Sequence, residues 1–149
     1  LTQKTNQFNM TTKRYSEQQI EDFILDDNYH VITLDLSDKF GDYGTTGLAI
    51  VDCELEYRLD TFLLSCRILG RNAENALMSE IASLIKNKGG KVLLGSFIET
   101  DRNQVASDAF EKLGFDKKFK RLWEYYLCYC EVAFLKGEID VGQYLLKRK

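Results

Sequence analysis

The residues best suited to chemistry form one short stretch, Arg67-Ile68-Leu69-Gly70-Arg71-Asn72-Ala73, between a predicted strand and a predicted helix. The first turn of a helix leaves backbone N–H groups unpaired, and the helix dipole adds positive potential there. A phosphate at this end needs close backbone approach, which Gly70 permits, and Arg67 and Arg71 would add charge-assisted hydrogen bonds. The stretch therefore predicts an anion-binding loop, with an ordinary strand–helix turn carrying two exposed arginines as the alternative.

Cys66 lies directly before this loop and is the candidate nucleophile of the chain. The thiolate is the reactive form of cysteine, and positive charge from two arginines and a helix N-terminus favours that form. One hypothesis is that Cys66 holds an acyl group transiently as a thioester. The alternative is a small buried cysteine that closes the strand, because no histidine base is evident.

The sequence predicts no metal site. The four cysteines form no CxxC pair, and one histidine cannot complete a Cys/His zinc set. His30 is expected at a turn or on the surface rather than as a base, and the aspartates of the turns are expected to be turn formers. The remaining cysteines are interpreted as structural: Cys53, Cys128 and Cys130.

Patterning gives the elements that must position these residues. A capping-box spacing from Ser16 to Gln19 predicts a short amphipathic helix that ends near residues 26–28. Alternating apolar residues predict strands over 30–37, 45–51 and 56–64, with a turn over 38–44.

The second half of the chain changes in character. A helix is predicted from Ala73 until Gly89-Gly90 ends it, followed by a buried strand over 91–98 and an aromatic strand over 122–130. Between these strands a helix is predicted over 103–113, ended by Gly114, with inward-facing Val105, Ala109, Phe110 and Leu113. This order predicts an α/β (α+β) fold with helices packed on the faces of a mixed sheet.

Size and charge exclude several classes of function. The chain has 149 residues, which suits one domain, and a net charge of −3 disfavours nucleic acid or an anionic membrane as partner. No apolar stretch reaches the roughly 20 residues of a membrane span, and no signal peptide opens the chain, so a cytoplasmic location is expected. The chain starts at Leu1 rather than at methionine, which favours a fragment. The cationic run over 117–121 is expected to be a solvated turn, with a docking patch for an acidic carrier protein as the alternative.

Two stretches resemble GNAT acyltransferases. Arg67 to Asn72 is similar to the coenzyme A loop of that family, Q/R-x-x-G-x-G/A, with Asn72 in place of the small residue. NQVASDAFEKLGF, from Asn103 to Phe115, resembles the family motif that ends in YEKLGF. The resemblance implies that Asn103 contacts the pantetheine arm or substrate. It also places Phe110 where the family often has a tyrosine that protonates the leaving thiolate, and phenylalanine has no proton to give.

A more specific resemblance covers positions 1 to about 115. LTQKTNQFNMTT at the start, DKFGDYG from Asp38 and DTFLLSCRILGR from Asp60 resemble blocks of FkbH-like proteins. In that family the first block joins a haloacid-dehalogenase-like phosphatase domain to a GNAT-like domain. The chain is thereby expected to be a single GNAT-like domain over 1–149, with 1–15 as the junction segment, and its sheet to be mixed and mostly antiparallel with helices on both faces.

By this resemblance, a glyceryl unit from 1,3-bisphosphoglycerate is delivered to the phosphopantetheine thiol of an acyl carrier protein in polyketide biosynthesis. The expected partners are that carrier and the phosphatase-like domain, whose DxDxT-type motif is not found in this sequence. The arm is expected along the open backbone edge of Phe62-Leu63-Leu64. Coenzyme A or carrier-bound phosphopantetheine would contact Phe62, Leu63, Leu64, Arg67, Ile68, Gly70, Arg71, Asn72, Ala73 and Phe110, while Cys66 and Asn103 would be catalytic.

Two alternatives stay open at this point. A free-standing N-acetyltransferase would use acetyl-CoA and an amine, and Phe110 counts mildly against it. A non-catalytic domain would only dock the carrier, and its binding would survive loss of Cys66.

Overall fold

The computed structural model describes residues 1–116. The chain forms two compact units, Leu1–Gly114 and Phe115–Lys149, and the fold below is that of the first. The predicted strand over 122–130, the cationic run over 117–121, Cys128 and Cys130 lie outside the described residues. A single GNAT-like domain over the whole chain stays a prediction. Among the helices of residues 1–116, none combines the length and the apolar character that crossing a bilayer requires.

The first helix, α1, spans Glu17–Leu25 and confirms the predicted capping box. The Ser16 hydroxyl accepts from the Gln19 amide at 3.2 Å, and the Gln19 side chain accepts from the Ser16 amide at 2.9 Å. Its Phe23 packs edge-on against Tyr15, with ring centroids 5.0 Å apart. These half-buried aromatics cover one face of the sheet, at the buried cluster of Leu48, Ile50 and Leu63.

Four strands form one sheet in the order β1-β2-β3-β4: Tyr29–Asp38, Gly41–Asp52, Arg58–Leu64 and Leu94–Gly95. The first three strands are antiparallel, and β4 is parallel to β3. Consecutive residues of β2 are buried, which means that both faces of this central strand are covered. The prediction of a mixed, mostly antiparallel sheet is confirmed.

The turn between β1 and β2 is shorter than predicted. The two strands remain paired up to Asp38 and Gly41, so the turn itself is only Lys39-Phe40 rather than residues 38–44. The Asp38 carboxylate accepts from the Phe40 amide at 2.7 Å, which fixes the chain reversal. We call Asp38–Gly44 the β1–β2 hairpin tip.

Helix α2 spans Ala73–Asn87 and buries one apolar stripe, comprising Ala73, Leu77, Met78, Ile81 and Ile85. It ends as predicted, because Gly89 takes a left-handed φ of 81° that stops the helix.

Two predictions for the following residues are wrong in extent. The buried strand over 91–98 is reduced to Leu94–Gly95, and Val92 and Ile98 are 64% and 49% exposed. The physical reason is that another part of the chain pairs with the rest of β3: Phe8–Met10 runs beside Phe62–Leu64, and Ile98 then donates to the Met10 carbonyl.

The predicted helix over 103–113 is a 3₁₀ turn at Gln104–Ala106 followed by a short helix α3 at Ala109–Lys112. The three-residue period of a 3₁₀ turn brings Ala106 and Ala109 inward, so Val105 is 58% exposed rather than buried. Gly114 has a left-handed φ of 87° just after α3, where a stop was predicted.

Candidate functional site

The loop from Arg67 to Ala73 leads from β3 into α2 through two left-handed residues. A 3₁₀ turn at Cys66–Ile68 follows the strand, and Ile68 is fully buried. Gly70 has φ 78° and Asn72 has φ 58°. Glycine adopts this conformation at no steric cost, and asparagine tolerates it better than most residues. We call residues 67–73 the Gly70 loop.

The Gly70 loop offers unpaired backbone donors. The Arg71 amide donates to the Ile68 carbonyl at 3.2 Å, whereas the N–H groups of Gly70, Asn72 and Ala73 make no backbone hydrogen bond within the described residues. They lie at the N-terminus of a 15-residue helix, where the helix dipole is positive. The geometry that an anion requires is therefore present, and occupation by a phosphate stays a prediction.

Both arginines of the loop turn toward the β1–β2 hairpin tip. Arg71 donates to the Asp38 carboxylate at 2.9 Å and lies over the Tyr43 ring, 5.2 Å from its centroid. Arg67 donates to the Ser65 hydroxyl at 3.3 Å and approaches the Tyr43 carbonyl at 3.5 Å. The Phe40 amide first, and the Arg71 guanidinium with it, hold the pKa of Asp38 below its usual value. Contact with a phosphate would require Arg71 to exchange its carboxylate partner.

Cys66 is exposed at the start of the 3₁₀ turn. The alternative of a buried cysteine that closes the strand is therefore wrong, and the thiol is accessible to a substrate. No histidine of the described residues contacts it. His30 lies on β1, where burial lowers its pKa and leaves its Nε2 without a hydrogen-bond partner. A nucleophilic role for Cys66 stays a prediction.

The edge of β3 is closed by the start of the chain, residues 1–12, which we call the N-terminal segment. The Met10 amide donates to the Phe62 carbonyl at 3.1 Å, and the Leu64 amide donates to the Phe8 carbonyl at 3.0 Å, on either side of an antiparallel bridge. Phe8 is 5% exposed and Met10 is fully buried. The expectation of an open edge along Phe62–Leu64 is therefore wrong, because the backbone groups meant for a pantetheine arm are already paired.

Asn103 fastens the N-terminal segment in place. It is fully buried, and its Nδ2 donates to the carbonyls of Asn9 and Ile98 at 3.0 and 2.8 Å. Its Oδ1 accepts from the amide and the hydroxyl of Thr100 at 2.8 and 3.0 Å. An amide side chain has two donor hydrogens and two acceptor positions, and all four are used. Asn103 therefore has no free polar group for a substrate, and its geometry is that of a structural clamp.

A small cavity of about 180 Å³ adjoins the Gly70 loop. Gly70, Phe8 and the first turns of α2 and α3 line it, and among its acidic residues Glu74 has a buried Oε2 without a hydrogen-bond partner. Lys112 also lines the cavity, but its ammonium group donates to Asp108 at 2.6 Å. The unpaired carboxylate of Glu74 opposes an anion on this side of the loop. Phe110, the other residue expected beside the cofactor, is half-buried on α3.

Sequence patterns did not predict the pairing of the N-terminal segment with β3. The one signal is the alternation of Phe8-Asn9-Met10, with two apolar residues on one face and an amide on the other. Three residues are too short to identify a strand on their own.

Comparison with known sequences does not identify a family for this chain. No family model matches the chain. A stretch of 49 residues is 48% identical to tuberculostearic acid methyltransferase UfaA1 from Mycobacterium tuberculosis. That stretch is 33% of this chain, and the match spans only 12% of the methyltransferase. Nothing about methyl transfer follows for this chain from so short a match.

Comparison with solved structures identifies the architecture. The chain is similar to AAC(6')-Iy, solved in complex with the bisubstrate analogue CoA-S-monomethyl-acetylneamine, with a TM-score of 0.53. The match covers 89% of this chain and 76% of that protein, at 13% sequence identity. Likeness at this identity concerns the fold alone. The chain therefore has a GNAT-like acyltransferase fold.

Proposed function

We propose that this chain is the acyltransferase-like domain of an FkbH-like protein, which handles transfer of a glyceryl-type acyl group to the phosphopantetheine thiol of an acyl carrier protein. The observation that carries the proposal is the Gly70 loop: on a GNAT-like fold, two left-handed residues present unpaired amides at the start of α2. Such a helix start suits a phosphodiester, which is the group that joins a pantetheine arm to its carrier.

The three sequence blocks that resemble FkbH-like proteins also contact one another. The first block supplies the N-terminal segment, which pairs with β3 in the third block. The second block forms the β1–β2 hairpin tip, whose Asp38 binds Arg71 of the third block. Three separate stretches that resemble one family therefore form one continuous region around the loop. This supports a true relationship to that family rather than a chance similarity in composition.

The chemistry proposed for Cys66 is a thioester exchange. Its thiolate attacks the carbonyl carbon of an acyl thioester, the carbon–sulfur bond to the donor breaks, and the donor leaves as a thiol that takes up a proton. The same step in reverse delivers the acyl group to the carrier thiol. Exposure of Cys66 next to the Gly70 loop is what supports this role.

A non-catalytic carrier-docking domain is the second candidate, and two observations favour it. The N-terminal segment occupies the strand edge that the arm would use, and the Asn103 side chain makes all its hydrogen bonds within the fold. A free-standing N-acetyltransferase is favoured by none of these observations, since Phe110 cannot protonate a leaving thiolate.

The test measures binding of the 149-residue chain to a fluorescent carrier protein with and without its phosphopantetheine arm, and separately to coenzyme A. The proposal expects binding that requires the arm. Gly70→Ala forces an alanine into a left-handed φ of 78° and should weaken this binding about tenfold by displacing the amides.

Gly89→Ala is the matched control, because Gly89 has nearly the same φ of 81°, equally open space around a Cβ, and lies at the other end of α2. Glu74→Gln should strengthen binding, since it removes the carboxylate beside the loop. Equal binding of both carrier forms, or equal effects of the two glycine variants, would refute a phosphate site at the Gly70 loop.

A further inference from the structure

A second, larger pocket lies between the N-terminal segment and residues 100–102. Its volume is about 310 Å³, within the range of small-molecule pockets, and it shares no lining residue with the cavity beside Gly70. Polar and charged side chains line it throughout: Thr5, Asn6, Asn9 and Thr12 from the N-terminal segment, and the two arginines Arg14 and Arg102.

The two arginines keep their charge available. Arg14 donates to the Gln3 carbonyl and to the Asn6 side chain, which are both neutral acceptors. Neither Arg14 nor Arg102 forms an ion pair within residues 1–116, whereas Arg71 is paired with Asp38. Asp101 is the one acidic residue of the lining, so the pocket carries a net charge of +1 from two arginines and one aspartate. A monovalent anion would balance it.

The backbone is strained at one residue of the pocket lining, Thr12. Thr12 has φ 57°, an uncommon conformation for a β-branched residue. The Asn9 side chain enforces it, accepting from the Thr12 amide at 3.0 Å and donating to the Lys13 carbonyl at 3.3 Å. Backbone strain of this kind is often found at binding sites, and Thr12 is one of the residues that line the pocket.

One buried side chain, Asn103, connects the two walls of the pocket, which are the N-terminal segment and residues 100–102. Asn103 binds the Asn9 carbonyl on one wall and Thr100 on the other. Buried hydrogen bonds therefore fix the positions of the two walls, and the exposed side chains are only part of what forms the pocket.

We propose that this pocket binds a small hydroxylated carboxylate. Arg14 and Arg102 hold the carboxylate, and the hydroxyl and amide groups of Thr5, Asn6 and Thr12 bind the ligand hydroxyls. The site is separate from the Gly70 loop and does not depend on the function proposed for that loop.

The test is an NMR titration of the ¹⁵N-labelled 149-residue chain with acetate, lactate and glycerate, which carry zero, one and two hydroxyl groups. Glycerol serves as the uncharged probe and inorganic phosphate as the anion without a carboxylate. We expect saturable shifts of the amides of Thr5, Asn6, Thr12 and Arg102, with affinity rising from acetate to glycerate and no response to glycerol.

Arg102→Gln should weaken glycerate binding about tenfold, because it removes a charge-assisted contact. Arg102 is exposed, so this variant should fold normally. Arg58→Gln is the control, since exposed Arg58 lies outside the pocket and its ion pair with Glu56, at 3.9 Å, is long and exposed. Thr12→Gly keeps the left-handed backbone, removes one hydroxyl, and should reduce the preference for glycerate over acetate.

Any of four results would overturn the proposal. One is the absence of saturable shifts at the pocket amides with any carboxylate. Another is glycerate binding that Arg102→Gln leaves unchanged. The third is a response confined to the amides of Gly70, Asn72 and Ala73, which would place the anion at the loop instead. Phosphate binding at the pocket without carboxylate binding would likewise refute the ligand class.

Discussion

The Gly70 loop and the N-terminal segment differ in how their structure is encoded. The loop is set by neighbours in sequence: a strand ends, two left-handed residues turn the chain, and α2 begins. The N-terminal segment is set by residues far along the chain, through backbone pairing with Phe62–Leu64 and the Asn103 side chain. The Gly70 loop keeps free backbone donors, whereas the backbone of Phe8–Met10 and the Asn103 side chain use their hydrogen bonds within the fold. In the N-terminal segment, a ligand role is therefore left to the side chains that line the pocket rather than to the paired backbone.

The largest expected effect tests whether the loop region is reactive at all. With an acyl-thioester donor, intact mass measurement of the chain should show an acyl adduct that Cys66→Ser removes completely, because serine is not ionised at neutral pH. Cys53→Ser, at a half-buried position where burial raises the pKa of the thiol, should leave the adduct in place. An undiminished adduct in Cys66→Ser would leave the carrier-docking function as the better account.

The second prediction tests the clamp of the N-terminal segment. Asn103→Ala leaves the Asn9 and Ile98 carbonyls without their donors and opens a cavity, so the free energy of unfolding should fall by about 4 kcal/mol. Urea unfolding followed by circular dichroism measures this. Asn75→Ala is the control, since Asn75 is exposed and makes one weak contact at 3.4 Å, and it should cost less than about 0.5 kcal/mol. A loss for Asn103→Ala as small as that of the control would mean that the clamp contributes little.

The third prediction compares the one left-handed non-glycine residue of each region. Thr12→Gly should raise the free energy of unfolding by about 1 kcal/mol, because a β-branched residue at φ 57° is strained. Asn72→Gly should change it by only a few tenths of a kcal/mol, since asparagine tolerates φ 58°. Thermal unfolding of both variants measures the difference. Equal responses would remove the claim that strain is concentrated in the N-terminal segment.

The smallest expected effect concerns the ion pair that joins the loop to the hairpin tip. Arg71→Gln should leave the free energy of unfolding nearly unchanged, because both partners are exposed to water, which screens the ion pair. The same variant should weaken binding of the arm-bearing carrier severalfold, and Asp38→Asn, which releases Arg71, should strengthen it. Identical carrier binding by both variants would mean that Arg71 does not contact the phosphopantetheine arm.

The contrast between the two regions also explains what the sequence could predict. The capping box at Ser16, the glycine stop at Gly89 and the turn at Gly70 are short-range features, and each was predicted at its observed position. The mostly antiparallel sheet was predictable because β1, β2 and β3 follow one another in sequence.

Pairing across the length of the chain was not predictable in this way. The residues over 91–98 have the composition of a strand, but Phe8–Met10 takes most of the edge of β3 that such a strand would need. Asn103 has a residue type that suits a binding site, and only its four hydrogen bonds show that it is a structural clamp. The length of β4 and the role of Asn103 both depend on which residues, distant in sequence, pair with them. A local sequence pattern does not contain that information.

The long reach of the Asn103 clamp has a consequence for the order of folding. Asn9 and Asn103 are 94 positions apart, so during synthesis the N-terminal segment is made well before the side chain that holds it. Long-range contacts of this kind form slowly, since closing so large a loop carries a high entropic cost. The N-terminal segment should gain protection from hydrogen exchange last in refolding, after β1 and β2 are already protected. Until then, the edge of β3 is open to any other extended chain in its vicinity.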